Sequence, residues 1–136
     1  MGRIIVRVYL DSAPLIYLVE NVSPYVEQLV QRLSPEGVYQ VCSDLTRLEC
    51  RVKPIRDKQA ALLAAFDSYF SEIISETVSL SSSVMNKATE IRARYGFKTP
   101  DAIHLACAIE SDCDIFLTND DQLKKFDEIV VELING

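Results

Sequence analysis

The sequence predicts an α/β fold: a three-layer α/β/α sandwich around a mainly parallel sheet of four or five strands. Short apolar runs of strand length, rich in β-branched residues, recur along the chain, and the first of them covers residues 4–10. Segments with apolar residues at helical spacing separate these runs. The first run is apolar at nearly every position, which is typical of a strand with helices on both faces. The alternation of strands and helices therefore favours parallel strands joined by helical crossovers.

The N-terminal part begins with the strand over residues 4–10. Ser12 is a favourable N-cap for a helix over residues 14–20, since its hydroxyl can accept a backbone N–H and a proline suits the first turn. A second helix is predicted over residues 24–33. It starts at a proline, carries a stripe of Val and Leu, and stops at a Ser-Pro-Glu-Gly turn.

The middle of the chain continues the alternation. A short strand is predicted over residues 39–42, followed by Ser43 as the N-cap of a helix that includes residues 44–52. A proline is then expected to open a second, longer helix over residues 54–70, whose Leu, Phe and Tyr residues follow helical spacing. Residues 73–80 predict a weak third strand.

The C-terminal part begins with a helix that follows a run of three serines and carries apolar residues at helical spacing over residues 84–95. Gly96 is a favourable residue for ending it. Thr99 is predicted to cap the next helix, with Asp101 in its first turn and its end near Glu110. That helix is small and apolar nearly all round, so it should pack on several sides. The remaining predicted elements are a strand at 114–118, a helical turn at 121–125 and a strand at 128–134.

Length and composition indicate one globular domain. A chain of 136 residues predicts a single core over residues 1–136. No apolar run approaches the ~18 residues that span a membrane. The N-terminal run contains Arg7 and leads into Asp11 without a small-residue cleavage site, so it resembles a signal peptide only faintly. The residues after Gly2 do not fit a myristoylation signal well. We therefore expect a cytoplasmic protein.

The cysteines and the net charge exclude two simple kinds of site. Cys42, Cys50, Cys107 and Cys113 form no CxxC pair, and the single histidine, His104, cannot complete a zinc knuckle with them. Buried, reduced thiols are therefore favoured. The net charge of −6 argues against a simple electrostatic nucleic-acid binder. It does not exclude an enzyme that holds nucleic acid through a metal ion and a local basic patch.

Acidic residues fall at informative places in the predicted elements. Asp11 ends the first strand, and Asp120 lies just past the strand at 114–118. Ligands bind at the carboxyl ends of strands in open α/β sheets, so these two residues should share one edge. Asp101 lies in the first turn of a helix and Glu49 inside another. Spacing alone does not bring them to the same edge.

Four segments resemble the signatures of PIN domains, and their order and spacing are most similar to VapC-type toxins of toxin–antitoxin pairs. The segments are residues 9–17, 43–49, 99–106 and 116–120. Each is weak alone, but the four occur in order and span essentially the whole chain. The resemblance departs at Ala13, where many relatives carry a polar residue that supports the first aspartate. That departure affects how the first aspartate would be held in place, but all four acidic residues are present.

The resemblance implies a ribonuclease that requires Mg²⁺ or Mn²⁺ and cleaves single-stranded or looped RNA. Its matching carboxylates are Asp11, Glu49, Asp101 and Asp120. It also implies a cognate antitoxin and a homodimer. Crowded carboxylates repel one another unless a divalent ion neutralises them, and such an ion can activate water for attack on a phosphate.

Within this site the acids are assigned different roles. We expect Asp11 and Asp120 to bind the metal directly, and Asp101 and Glu49 to bind a second ion or orient the water. Ser12 and Thr118 are expected to support the metal ligands by hydrogen bonding.

Simpler interpretations exist for three of the four acids. Asp11 can be a cap at a strand–helix turn, Asp101 a carboxylate that stabilises a helix N-terminus, and Glu49 a solvated helix residue. Only the four signatures together favour a site. A phosphoacceptor receiver domain does not fit, because it requires an early acidic pair and a late lysine after a strand. A non-catalytic RNA- or protein-binding module of the same fold is the alternative that stays open.

The other polar residues that the sequence singles out have both functional and structural interpretations. Arg47, Arg51 and Lys53 belong to a basic stretch around Glu49 that also contains Arg56 and Lys58. This stretch is a candidate for binding RNA phosphates, but a solvated face or a docking surface explains it equally well. Tyr17 and Tyr25 can stack on bases or, more simply, pack in the core. Asp112, Asp114 and Asp121 are expected to face solvent, and His104 to be a buried, hydrogen-bonded packing residue.

Overall fold

Five strands form one parallel sheet in the described part of the chain, which confirms the predicted fold class. The computed structural model describes residues 4–135, so Gly2 and both ends of the predicted 1–136 domain lie outside the described residues. The strands are β1 (Val6–Leu10), β2 (Val38–Ser43), β3 (Glu76–Val78), β4 (Ile115–Thr118) and β5 (Val130–Leu133).

The strand order places a crevice between β1 and β4. The order across the sheet is β3-β2-β1-β4-β5, so the chain builds outward from β1 on one side and then returns to build outward on the other. Leu10 of β1 pairs with Leu117 of β4, which makes Asp11 and Thr118 neighbours just beyond that pair. This carboxyl edge is the topological switch point, where open α/β sheets bind their ligands.

Helices cover both faces of the sheet. Within residues 4–135 they are α1 (Ser12–Val19), α2 (Tyr25–Leu33), α3 (Asp44–Arg56), α4 (Ala60–Glu72), α5 (Ser82–Tyr95) and α6 (Thr99–Glu110), with a short 3-10 helix at Asp121–Lys125. Tyr9 and Phe116 face a core built with α5 and α6, whereas Leu10 and Leu117 face a second core built with α1 to α4. Neighbouring strand residues thus supply opposite cores, as the pleat of a strand requires.

Pro54 does not begin a helix, contrary to the sequence prediction. It is buried in the last turn of α3, which continues to Arg56. A helix tolerates proline's fixed φ but lacks the hydrogen bond that its N–H would have made. The break comes later, at Lys58, whose φ of 55° is left-handed, and Gln59 N donates to the Pro54 carbonyl. The next helix therefore starts at Ala60 rather than at the proline.

Two predicted caps are wrong by one residue. Asp11, not Ser12, is the N-cap of α1, because its carboxylate accepts the Ser12 N–H. Lys98, not Thr99, precedes α6, although Asp101 still lies in the first turn. The strand predicted at 73–80 is limited to β3 (Glu76–Val78). By contrast, Gly96 ends α5 in a left-handed conformation with φ 75°, as predicted.

The cysteines are free thiols, and three of them, Cys42, Cys50 and Cys107, are buried. Burial raises the pKa of Cys42 to about 12 and that of Cys107 to about 11. These thiols are therefore protonated packing residues at neutral pH. The sequence interpretation of buried, reduced thiols is confirmed for Cys42, Cys50 and Cys107, whereas Cys113 is only partly buried. Among residues 4–135, no helix is long and apolar enough to cross a bilayer.

Candidate active site

Asp11 is fixed on both carboxylate oxygens at the end of β1. Oδ1 accepts the Ser12 backbone N–H at 2.8 Å and Oδ2 accepts the Thr118 hydroxyl at 2.8 Å. The second bond follows from the strand register, since Thr118 is next to Leu117 and Asp11 is next to Leu10. Asp11 is thus a helix cap, as the simpler interpretation held. Each carboxylate oxygen has a further lone pair, so the cap does not prevent metal binding.

Glu49 is directed toward α1 and α6 by the helix that carries it. Ser43 caps α3, and the buried residues Thr46 and Cys50 anchor the helix against the core. Glu49 Oε1 accepts the Ser12 hydroxyl at 2.7 Å and lies 2.6 Å from His104 Nε2. Burial alone would raise the pKa of Glu49, but the hydrogen bonds from His104 and Ser12 outweigh it and lower the pKa. The carboxylate is therefore held ionised.

Asp101 and Asp120 reach the same region from α6 and from the end of β4. Partial burial, followed by the negative charges of Asp11 and Asp120, raises the pKa of Asp101. Asp101 is thus close enough to the other two carboxylates to be repelled by them. Asp120 is the N-cap of the 3-10 helix, where it accepts the Gln122 N–H at 3.0 Å. Its own N–H donates to the Thr118 hydroxyl oxygen at 3.1 Å, so Thr118 contacts both Asp11 and Asp120.

His104 is a part of this region that the sequence interpretation did not connect with the acids. It is 2% exposed and hydrogen-bonded, as predicted. However, its Nε2 also lies 3.7 Å from Asp11 Oδ1, and its Nδ1 lies 2.8 Å from the Tyr9 hydroxyl oxygen. His104 follows Asp101 by three residues, which places both on one face of α6. That spacing is the signal that could have linked the histidine to the acids.

The donor chemistry of this region fits a hard divalent ion. The groups are carboxylates, which are ligands that Mg²⁺ prefers, and the negative charges of Asp11 and Asp120 add to the effect of burial in raising the pKa of Asp101. Among residues 4–135, no group of three or more Asp, Glu, His or Cys side chains is placed so that it could hold a metal ion by itself. Mg²⁺ does not need one, because it usually keeps several waters and binds through one or two carboxylates plus substrate phosphates.

Asp101 and Asp120 also line a cleft of about 260 Å³. It lies between the start of α6 and the 3-10 helix. Its other lining residues are Tyr95, Gly96, Phe97, Lys98, Gln122, Leu123 and Lys125. The acidic edge of the sheet thus opens onto a recess that carries both charges.

The structure separates the three RNA-binding candidates on α3. Arg47 and Arg51 lie two residues before and after Glu49, which is about 200° around a helix. Arg47 stacks over the Phe70 ring at 5.6 Å, and Arg51 Nε donates to Asp67 Oδ1 at 2.8 Å. Both therefore face α4 rather than the acids. Lys53 is exposed and lies one turn beyond Glu49 on the same side.

The remaining residues singled out in the sequence lie outside this region or are packed. Tyr17 and Tyr25 stack on each other with ring centroids 4.3 Å apart. Asp112, Asp114 and Asp121 are exposed, as predicted.

The chain belongs to the PIN domain family, whose model matches residues 8–129. Its fold is similar to that of several solved structures. VapBC2 from Rickettsia felis, bound to a DNA fragment from its promoter, gives a TM-score of 0.79 at 14% identity and covers 96% of this chain and 100% of that chain. DNA-bound VapBC from Salmonella typhimurium gives a TM-score of 0.75 at 15% identity. The match covers 94% of this chain and 98% of that chain.

A third similar structure is VapC20 from Mycobacterium tuberculosis, described as a sarcin-ricin loop cleaving toxin. Its TM-score is 0.64 at 14% identity, and the match covers 89% of this chain and 90% of that chain. At these identities the likeness is one of fold. A comparison with curated protein sequences gives no significant match.

Proposed function

We propose that this protein is an endoribonuclease that requires Mg²⁺ or Mn²⁺ and acts as the toxin of a type II toxin–antitoxin pair. One observation carries the proposal. Asp11, Asp101 and Asp120 come from three separate parts of the chain and approach one another at the sheet's ligand-binding edge, where burial, and then repulsion by Asp11 and Asp120, raises the pKa of Asp101. Such repulsion is unfavourable without a cation, so the arrangement favours a metal-binding site.

Each residue of the site has a part in this mechanism. Asp11 and Asp120 would hold the ion, with Thr118 orienting both of them, and Asp101 would help to bind a second ion or orient the water. When bound, the ion would polarise the scissile phosphate and make a bound water more acidic. Glu49 is kept ionised by Ser12 and His104, so it can orient water or help to bind a second ion.

The proposed substrate and antitoxin rest on family membership and on fold similarity. PIN family membership supports a nuclease. VapC20 is described as cleaving the sarcin-ricin loop, which supports RNA as the substrate. Two of the similar structures are of VapBC, and a third is a toxin-antitoxin complex from Klebsiella pneumoniae. These similarities support an antitoxin partner for this chain. We place the protein in the cytoplasm as a single domain over residues 1–136.

An exposed apolar face on α3 supports a protein partner. Leu48, Val52 and Ile55 are 58%, 49% and 54% exposed and follow helical spacing. They line a groove of about 580 Å³ whose charged lining includes Arg47, Arg51 and Arg56. Exposed apolar patches of this kind commonly mark protein interfaces. We also propose a homodimer, and light scattering that shows a strict monomer at high concentration would remove that part of the proposal.

Cleavage of a structured RNA pool by purified, antitoxin-free protein tests the enzyme. We expect cleavage with Mg²⁺ or Mn²⁺ and none for Asp11→Asn, which is nearly isosteric and so reports charge rather than packing. Asp112→Asn is the matched control. Asp112 is exposed and has a positive φ of 56°, a conformation that asparagine accepts.

Two results would contradict different parts of the proposal. Absence of cleavage with either ion would reject the enzyme, and RNA binding without cleavage would favour the non-catalytic module. Cleavage that persists in a chelator would reject the metal mechanism while keeping the ribonuclease.

A further inference from the structure

Most arginines and one lysine of the described chain already have partners within it. The ion pairs with acids join Arg7 to Glu76, Arg32 to Glu132, Arg51 to Asp67, Arg56 to Asp57, and Lys87 and Arg94 to Glu128. Arg47 lies over the Phe70 ring, and Arg92 donates to the Thr99 hydroxyl. A phosphate would have to compete with these partners for the cations.

Lys98 and Lys125 differ from them. Both are exposed, and neither forms an ion pair within residues 4–135. Both line the cleft that also contains Asp101 and Asp120. Lys98 acts on Asp101 through its charge and opposes the rise of that pKa. The cleft therefore combines two unpaired cations with two of the acids assigned to metal binding.

The walls of the cleft favour recognition by charge over recognition by stacking. Tyr95 stacks on Phe97 with centroids 5.4 Å apart, and the Arg94 guanidinium lies 5.3 Å from the Tyr95 ring centroid. The Tyr95 hydroxyl donates to Asp127. These contacts already engage the aromatic rings, so they form a fixed wall rather than a platform for a base.

We infer that this cleft binds the sugar–phosphate backbone of the RNA next to the scissile bond, with Lys98 and Lys125 as the phosphate contacts. The inference rests on the proposed ribonuclease function. A chain of net charge −6 repels RNA, so cations are needed where the strand meets the acids. A lysine ammonium binds phosphate as a point charge. The cleft of about 260 Å³ is just below the ~300 Å³ lower bound of drug-sized pockets, so it suits a short piece of backbone better than a large ligand.

The test compares Lys98→Gln/Lys125→Gln with the matched control Lys124→Gln. Lys124 is exposed and adjacent to Lys125 but does not line the cleft. Binding of a fluorescent single-stranded RNA is measured by anisotropy against salt, with every variant placed in an Asp11→Asn background to prevent cleavage. We expect the double variant to lower the slope of log affinity against log salt by about 1.4, since each phosphate contact contributes about 0.7. The control should leave the slope unchanged.

Two further measurements separate phosphate binding from a structural effect. In the active protein the double variant should raise KM about tenfold with little change in kcat, and Lys98→Arg/Lys125→Arg should restore KM. Mn²⁺ affinity should not fall, because the substitutions remove positive charge beside the acids and leave every carboxylate in place.

Equal slopes for the double variant and the control would overturn the inference. A fall in kcat at constant KM would also overturn it. If the wild-type chain cuts no RNA but the double variant still loses the salt-dependent binding, the proposed enzyme fails and the cleft remains an RNA-binding site.

Discussion

His104 Nε2 lies 2.6 Å from Glu49 Oε1 and joins α6 to α3 across 55 residues of sequence. The other ring nitrogen lies 2.8 Å from the Tyr9 hydroxyl, which donates to the Ser43 hydroxyl oxygen at 2.8 Å. Tyr9 is fully buried, so this chain of contacts runs from the core to the candidate site. The position of the Glu49 carboxylate therefore depends on a buried polar network and not on α3 alone.

Replacing His104 by Gln or by Asn should distinguish the contributions of its two ring nitrogens. A Gln amide can reach the position of Nε2 and keep a donor to Glu49, whereas an Asn amide matches Nδ1 and keeps only the Tyr9 side. We expect His104→Gln to hold Mn²⁺ affinity within a few-fold and His104→Asn to lower it by about 10–100-fold, the usual cost of losing a group that orients a metal ligand. Both should lower the free energy of unfolding by about 1–3 kcal/mol, because buried polar groups lose partners.

Calorimetry with Mn²⁺ and thermal unfolding on the same samples check this prediction. Equal Mn²⁺ affinity in the two variants at equal stability would show that His104 only packs the core.

The adjacent pair Asp120 and Asp121 should differ sharply in function. Asp120 accepts the Gln122 N–H and lines the cleft with Asp101, while Asp121 is exposed in the first turn of the 3-10 helix. Asp120→Asn should lower turnover by more than about 100-fold, since even groups that merely orient a metal ligand are worth 10–100-fold. Asp121→Asn should cost at most about 1 kcal/mol of stability through the lost helix-terminus interaction.

Cleavage rates of the two variants on one RNA, together with their Mn²⁺ affinities from calorimetry, show which aspartate belongs to the site. An equal loss in the two, or a larger loss in Asp121→Asn, would mean that the acidic corner is assigned to the wrong residue.

Asp101 should make the metal-free protein less stable as pH rises. Its pKa is raised by burial and by Asp11 and Asp120, so the folded state binds the proton more tightly than the unfolded state. This contribution is fully present below the unfolded pKa of about 3.9 and is lost as pH rises through the folded pKa. Relative to Asp101→Asn, the wild type should therefore lose stability between acid and neutral pH, by at most about 1 kcal/mol because solvent screens this half-exposed group.

Urea unfolding of both proteins in EDTA, from pH 4 to 7, measures the difference. Adding Mn²⁺ at pH 7 should stabilise the wild type more than Asp101→Asn. A pH-independent difference would show that neither burial nor the neighbouring carboxylates raise the pKa of Asp101.

Substitutions of Arg51 and Lys53 should have different effects, the first on fold stability and the second on RNA affinity. Arg51 pairs with Asp67 on α4, so Arg51→Gln should lower the free energy of unfolding by about 0.2–1 kcal/mol and leave RNA affinity unchanged. Lys53 is exposed on the Glu49 side of α3, so Lys53→Gln should leave stability unchanged and reduce the salt slope of RNA binding by about 0.7. Urea unfolding and anisotropy measure the two quantities, and the reverse pattern would place RNA on the α4 side of α3.

The sequence by itself determined the alternation of strands and helices and the parallel sheet. It also placed Asp11 and Asp120 near one edge. These features depend on residue periodicity and on the position of a residue at the end of a strand, which are local properties. The end of α5 at Gly96 is local in the same way, because the left-handed conformation there suits glycine.

Only the tertiary structure decided which of two neighbouring residues performs a given task. Asp11 and Ser12 are both good helix caps, but the Ser12 hydroxyl donates to Glu49 on α3, which leaves the cap to Asp11. Arg51 faces Asp67, whereas Lys53 lies on the Glu49 side of α3, although both belong to one basic stretch. The contacts of His104 with Glu49 and Tyr9 span 55 and 95 residues. Contacts this distant depend on how the helices pack on the sheet, and no local pattern in the chain encodes that packing.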